Sequence, residues 1–347
     1  MYIKKILWAI ALIGLVIFGI VAYYIYAAMF QPNTVFNNET AYIYVPTNAK
    51  YTEVRSQLKP LLKNIDAFDA LANQKQYTTN IKAGRFAIGK GMNNNDIINS
   101  IRSKNIPIQI SFNNQHNLAD LAGRISAQIE ADSLSLYKAM SNATFLKDNN
   151  FSKATALGMY LPNSYEFFWN TSAEDFRDKM LKEYNRFWTD TRKAQAKRLN
   201  LTPNEVMTLA SIVHEESKMP DEQPRVAGVY LNRLRIGMPL QADPTLKYAA
   251  YQLPQYKNTV IRRVLNVHKT IESPYNTYLN RGLPPGLIAM PDLSAINAVL
   301  NPEKHSYLYF AADAKRIGYH KFAKTLGQHN NNAREYQTYL SSQGINR

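Results

Sequence analysis

From Ile6 to Phe30 the chain carries no charged side chain and is almost wholly apolar, and Lys4 and Lys5 stand immediately before it. A transmembrane helix needs about 20 such residues, whereas the core of a cleavable signal needs only about 7 to 15. This run is long enough to span a bilayer as a helix, the one open-ended structure that satisfies its own backbone there. Tyr23, Tyr24 and Tyr26 near its far end suit the aromatic belt of a membrane interface, and the paired lysines favour a cytoplasmic N-terminus. Residues 1–30 are therefore expected to be a cytoplasmic N-terminus and a single-pass transmembrane helix. A signal cleaved near Ala27 and Ala28 is the alternative, and both readings export the remainder.

The 347 residues leave room for two or more compact domains beyond that segment. A net charge of +15 suits an acidic partner, which could be nucleic acid, a membrane surface or an anionic wall polymer. Lys and Arg are scattered without a block of five or six, and no zinc-finger or RNP-like signature accompanies them, so no nucleic-acid partner is expected. The absence of Cys excludes disulfides, thiolate metal sites and Cys nucleophiles. His214 and Glu215 begin an H-E-x-x-H pattern, but Lys218 takes the place of the second His. The other histidines, His116, His268, His305, His320 and His329, are dispersed, and neither a G-x-S-x-G elbow nor a phosphate-cradling loop is present. Neither a metal nor a cofactor is expected.

The exported part reads as α+β. Gln31 to Thr40 is polar and aperiodic, a tether over 31–40. Tyr42–Val45 and Arg85–Ile88 read as strands, Asn93 caps a helix carrying Ile97, Ile98 and Ile101, and Ile108, Ile110 and Phe112 alternate as a half-buried strand. These form a small module over 41–112. A helical connection over 113–160 opens at Asn117, with Leu118, Leu121, Ile125 and Ile129 on one stripe. A larger mixed α+β domain is expected over 161–347. It is entered through Tyr160–Trp169 and a helix carrying Phe176, Met180, Tyr184 and Phe187, with Arg192, Lys193, Lys197 and Arg198 on a solvated surface after it.

The chemistry is sought on the next helix. Thr202, Pro203 and Glu205 form a capping box, which fixes the register. At 100° per residue, Val206, Leu209, Ala210, Ile212 and Val213 fill one arc of about 160°. Glu216 falls inside that arc and Glu215 opposite Val206, on the solvent side. A carboxylate on an apolar face needs a partner or a raised pKa, and a raised pKa is what a general acid requires. The bland alternative is a carboxylate at a frayed helix end that reaches water or pairs with Arg225. Beyond an amphipathic helix over Asp221–Ile236, stopped by Gly237, the stretches Leu240–Thr245 and Tyr275–Gly286 read as rigid loops that place polar side chains. Turn chemistry alone would also explain each of their residues.

These residues together resemble the MltG (YceG-like) family of endolytic peptidoglycan transglycosylases. The likeness is carried by Leu209–Val213 with Glu216, Val229–Leu234, Leu240-Gln241 with Asp243-Pro244-Thr245, Tyr275–Tyr278, Gly282–Pro285, Tyr307–Phe310, and His320 with Phe322. His214, Leu287 and Met290 depart from the commonest pattern. The resemblance implies a LysM-like first module and an inner-membrane anchor with a periplasmic or extracytoplasmic catalytic part. It implies a lyase that cuts the MurNAc–GlcNAc β-1,4 bond of nascent peptidoglycan to leave 1,6-anhydroMurNAc ends, terminating glycan strands. It makes Glu216 the catalytic acid/base, Gln241, Asp243, Asn276, Tyr278 and His320 substrate-binding, and peptidoglycan synthases possible partners. A non-catalytic peptidoglycan-binding scaffold of the wall-synthesis machinery is the alternative. A hydrolase using Glu216 with Asp243 is a third reading.

Overall fold

The computed structural model describes residues 2–256 and 259–343. Met1 and residues 344–347, the outermost positions of the expected N-terminal segment and catalytic domain, lie outside the described residues, as do Lys257 and Asn258. The chain is mixed α+β and divides into two compact units.

The first unit holds residues 1–110 with two short returns, 128–131 and 165–172. It begins with helix α1 (Tyr2–Phe30), an apolar helix long enough to cross a membrane, with no buried side chain along its length. At 1.5 Å per residue its 29 residues extend about 43 Å. Strand β1 (Thr40–Val45), helices α2 (Tyr51–Leu58) and α3 (Ile65–Gln74), strand β2 (Gly84–Gly89) and helix α4 (Asn94–Ser103) follow, and strand β3 (Ile108–Phe112) leads out. β1 and β2 are antiparallel, with Ile43 opposite Phe86 and Val45 opposite Gly84. The two-residue period turns Ile43, Val45, Phe86 and Ile88 inward onto Val54, Leu58, Phe68, Leu71, Ile97, Ile98 and Ile101. Gly84 has φ +145°, and a Cβ there would stand 2.4 Å from the Asn105 side chain, so glycine is required. Asn93 caps α4 as expected, its side chain accepting from Asp96 N–H. Helices α2 and α3 were not among the expected elements: α2 carries only Val54 and Leu58 inward and opens after Lys50 instead of a capping residue, whereas α3 does have a local signal, with Asn64 as its cap and Phe68, Leu71 and Ala72 on its buried face. The polar stretch read as a tether is tied down. Asn33 donates through Nδ2 to Asn94 Oδ1 at 2.6 Å and to the Asn64 carbonyl at 2.9 Å, and Val35 N–H donates to the Leu61 carbonyl.

The second unit takes 111–127, 132–164 and 173–347. Its elements are α5 (Leu118–Ser126), α6 (Ser133–Met140), α7 (Ala143–Asp148), β4 (Asn163–Phe167, which passes back into the first unit), α8 (Ala173–Phe187), α9 (Asp190–Arg198), α10 (Pro203–Glu216), α11 (Gln223–Arg235), α12 (Asp243–Tyr251), α13 (Asn266–Lys269), α14 (Leu293–Leu300), β5 (Tyr309–Ala312), β6 (His320–Ala323) and α15 (Leu326–Ser342). Helices α10, α11 and α14 pack on one another, and β5 and β6 form an antiparallel hairpin covered by α15. The capping box holds as expected: Thr202 Oγ1 accepts from Glu205 N–H, and Glu205 Oε2 accepts from Thr202 N–H at 2.7 Å. The exposure of α10 differs from the expected arc, since every residue from Val206 to His214 is buried. A central helix is covered on all sides, and small or weakly polar residues such as Thr208 and Ser211 let it be so by bonding to their own helix carbonyls.

Candidate active site

Four elements converge at the end of α10, around a cavity of about 340 Å³. Glu216 is the last residue of α10. Tyr230 and Arg233 lie three apart on one face of α11, Gln241 and Asp243 mark the start of α12, Tyr278 comes from the following loop, and His320 opens β6. All seven line the cavity, together with Tyr309, Phe310 and His329.

Glu216 accepts a hydrogen bond from the Tyr230 hydroxyl at 2.6 Å on Oε1. Burial pushes its carboxyl up to about 7. The Tyr230 bond, His320 and Arg233 pull the other way, and Asp243 adds to the rise. The alternative pairing with Arg225 is absent, because Arg225 binds the Glu303 carboxylate at 2.9 Å and 3.0 Å. Tyr230 is itself buried, and its phenol is held well above its ordinary range by burial and by the Glu216 carboxylate, so it stays a donor. Arg233 is also buried. Its Nε donates to the Leu308 carbonyl and its guanidinium to the Leu240 carbonyl, each at 2.6 Å, so one cation pins both the hairpin and the loop before α12. Burial lowers its pKa, yet the group remains the positive charge of the cavity.

His320 is positioned by a carboxylate outside the cavity lining. Glu222, 3 % exposed, accepts from His320 N–H on Oε1 at 2.7 Å and faces His320 Nδ1 from Oε2 at 2.8 Å, and Ser217 Oγ donates to the same oxygen at 3.0 Å. Burial would raise the Glu222 carboxyl, but the His320 and Ser217 bonds outweigh it and leave the pKa lowered. The imidazole is also held edge-to-face against Phe310.

Asp243 is exposed and accepts from the Tyr278 hydroxyl at 2.6 Å. It is the first residue of a helix, whereas the Asp-Pro pair alone predicts a loop. Pro is tolerated in the first helical turn, and the start is fixed from a distance: Thr277 Oγ1 accepts from Ala242 N–H at 3.0 Å and lies 2.9 Å from Thr245 Oγ1. Gln241 has φ +48° and donates from its backbone to the Thr277 carbonyl, which turns its side chain into the cavity lining.

Asn276 is not brought to the cavity. It is wholly buried, its Nδ2 donates to the Lys269 and Ile271 carbonyls, and its Oδ1 accepts from Tyr278 N–H. An amide with all its bonds made inside the loop shapes the loop and has nothing left to offer a sugar. Leu287 and Met290 are buried packing residues. Tyr230, Arg233, Glu222 and His329 also belong to the site and were not among the residues expected there. Tyr230 and Arg233 had a signal, since they share a helix face, whereas Glu222 and His329 meet the site only through tertiary contact. Glu215 lines a second cavity and pairs with Lys218 at 2.9 Å, so what looked like the solvent side of α10 is only part-exposed. Among the described residues no cluster of His, Asp or Glu is arranged to hold a metal ion.

A half-buried carboxyl whose desolvation raises its pKa to about 7, a donor fixed on one oxygen and a cation nearby form a proton-transfer site. Comparison with known proteins agrees in extent. The chain is 30% identical over 334 residues to an endolytic murein transglycosylase of Bacillus subtilis, covering 91% of this chain and 89% of that protein. It is 27% identical to an endolytic murein transglycosylase of Streptococcus pneumoniae over 84% of this chain, and there it spans only 57% of the relative. The crystal structure of a yceG-like protein from Listeria monocytogenes superposes with a TM-score of 0.56 at 26% identity, over 85% of this chain and 99% of that one. The family model described as YceG-like matches residues 43–335, which include every residue of the cavity, and this chain belongs to the YceG-like family.

Proposed function

We propose that the chain is a membrane-anchored endolytic murein transglycosylase with Glu216 as its single acid/base. The observation that carries this is the Glu216 carboxyl, raised to about 7 by burial and bonded to Tyr230. At neutral pH a substantial fraction is protonated, as a general acid must be, and its conjugate base is strong enough to take the proton back. In the first step Glu216 protonates the glycosidic oxygen between MurNAc and GlcNAc as that bond breaks. In the second, the resulting carboxylate accepts the proton of the muramyl 6-hydroxyl while its oxygen closes on C1, giving a 1,6-anhydroMurNAc end and restoring the acid. Tyr230 holds Oε1, which leaves Oε2 for the proton, and Arg233 offsets the charge present between the steps. Gln241, Asp243, Tyr278 and His320 are the side chains available to sugar hydroxyls and acetamides. Asp243 is exposed and engaged by Tyr278, which supports a binding role for it over activation of water.

The division into an N-terminal membrane segment (1–30), a connecting stretch (31–40) that is bonded to the module after it and so is no free tether, a LysM-like glycan-holding module (41–112), a helical connection (113–160) and a catalytic domain (161–347) belongs to the same proposal. The apolar α1 and the strand–helix–helix–strand order of β1, α2, α3 and β2 support it. So do an inner-membrane topology with the catalytic part outside the cytoplasm, the ending of nascent strands, and synthases as neighbours. The deciding experiment is mass spectrometry of the products. Anhydromuramyl ends lie one water below reducing ends, and their loss in Glu216→Gln supports the assignment. Reducing muramyl ends would give the reaction to Glu216 with Asp243, and cells unaffected by Glu216→Gln would make the chain a scaffold.

A further inference from the structure

The second cavity, about 910 Å³, lies in the same unit as the first and is its neighbour along three stretches of chain. Glu215 lines it where Glu216 lines the first, Pro244 where Asp243 does, and Tyr275 where Tyr278 does. Gly286 joins its walls: a Cβ there would stand 2.2 Å from the Ala154 carbonyl oxygen, so the loop after the double proline lies directly on the backbone beside Lys153. The size is that of a ligand pocket, not of a packing defect.

The lining has a definite chemistry. Tyr137, Tyr248, Tyr251 and Tyr275 supply aromatic faces and hydroxyls, and the Tyr248 and Tyr275 rings are 4.6 Å apart at 48°. Lys153 and Lys247 supply two ammonium groups, and neither takes part in an ion pair among the described residues. Among the described residues Glu215 is the only carboxylate in the lining, and it is already bound to Lys218. The cavity therefore carries net positive charge beside apolar surface, which selects a carboxylate attached to something amphipathic. The sugars of murein bring neutral hydroxyls and acetamides. Its carboxylates sit on the peptide branch that is amide-linked to the lactyl group of each muramic acid, one branch beside every bond of the type cut.

We propose that this second cavity binds the carboxylate-bearing peptide branch of the muramic acid at or next to the cleaved bond, so that branched strands are cut in preference to bare ones. This rests on the murein transglycosylase reading. Lys153 is exposed and Lys247 half-buried, so each pairs with a carboxylate at moderate strength, and the two together are worth roughly tenfold in recognition.

The test uses the full chain in detergent micelles with two substrates, uncrosslinked murein strands and the same strands stripped of peptide by an amidase, with the lactyl carboxylate that the amidase frees capped as its methyl amide so that the bare strands are neutral. Wild type is expected to show a higher kcat/KM on branched strands. In Lys153→Met/Lys247→Met the ratio of the two kcat/KM values should fall roughly tenfold, mostly through KM. An equal loss on both substrates would make the cavity a glycan subsite, and an unchanged ratio would leave the branch unbound there; either result overturns the proposal. Should the double variant lose its thermal transition, each single variant supplies the same comparison at half the logarithmic effect. Wild type that yields no anhydro ends from either substrate is a failure of the catalytic reading alone. Fluorescence anisotropy with labelled branched and bare tetrasaccharides, read on Glu216→Gln with and without the lysine changes, then decides the branch site, which stands only if the lysine changes weaken the branched probe selectively.

Discussion

Replacing Tyr230 by Phe removes one oxygen and little else. The ring keeps its edge-to-face contact with Phe310, 5.9 Å between centroids, and the hydroxyl it loses has Glu216 as its partner at 2.6 Å. A hydrogen bond to a charged group contributes about 1.5 to 3 kcal/mol. It favours the carboxylate over the acid, so its loss raises the Glu216 pKa further, by about 1 to 2 units at 1.36 kcal/mol per unit. Starting from about 7, the variant carboxyl should titrate at about 8 to 9. The alkaline limb of the pH profile of kcat/KM reports the acid of the free enzyme. Release of muropeptides quantified by chromatography and mass spectrometry from pH 5 to 10 should place this limb near 7 in wild type and 1 to 2 units higher in Tyr230→Phe. The plateau rate should fall about tenfold, because a weaker acid protonates the leaving oxygen less readily and the carboxylate between the steps loses its donor. A limb that stays in place, or moves down, refutes the assignment of Glu216 as the acid held in check by Tyr230.

Glu216→Gln should also change stability with a defined sign. The folded pKa of about 7 lies above the ordinary 4.5, so the wild-type stability contributed by the neutral carboxyl is fully present below pH 4.5 and is lost as pH rises through 7. The variant should match wild type at pH 4 and exceed it at pH 8 by up to about 3 kcal/mol, read as a difference in thermal midpoint; equal midpoints at both pH values would contradict a desolvated carboxyl at Glu216. Glu222→Ala strips His320 and Ser217 of their shared acceptor and should cost about 3 kcal/mol in urea unfolding together with most of the activity, whereas wild-type activity in the variant would remove His320 from the site. Asn276→Ala frees two buried carbonyls and an amide and should cost about 2 to 4 kcal/mol, and a stable variant with only KM raised would restore Asn276 as a sugar ligand.

Local rules reached far along this chain. The uncharged run from Ile6 to Phe30 permits little but a helix, and the caps at Asn93, Asn117 and Thr202 each take up backbone amides left without a helical partner. The register of α10 separated Glu216 from Glu215, because 100° per residue is a property of the backbone and needs no neighbour. That register could not say what each carboxylate faces. The apolar arc of α10 proved to be complete burial, since which helices cover a helix is set by chain segments far away in sequence. The same holds for the start of α12, where Asp-Pro reads locally as a turn and is made helical by Thr277, and for Asn276, which the family resemblance implies as a substrate ligand and whose bonds all close inside its own loop. Glu222 and His320 are 98 residues apart, and Tyr230 meets Glu216 across two helices. Capping, hydropathy and helical period act within a few residues, so the sequence by itself determined the long apolar first helix, the starts of α4, α5 and α10, and the candidate acid. The pKa of that acid depends on desolvation and on donors brought from other elements, and only the tertiary structure decided those.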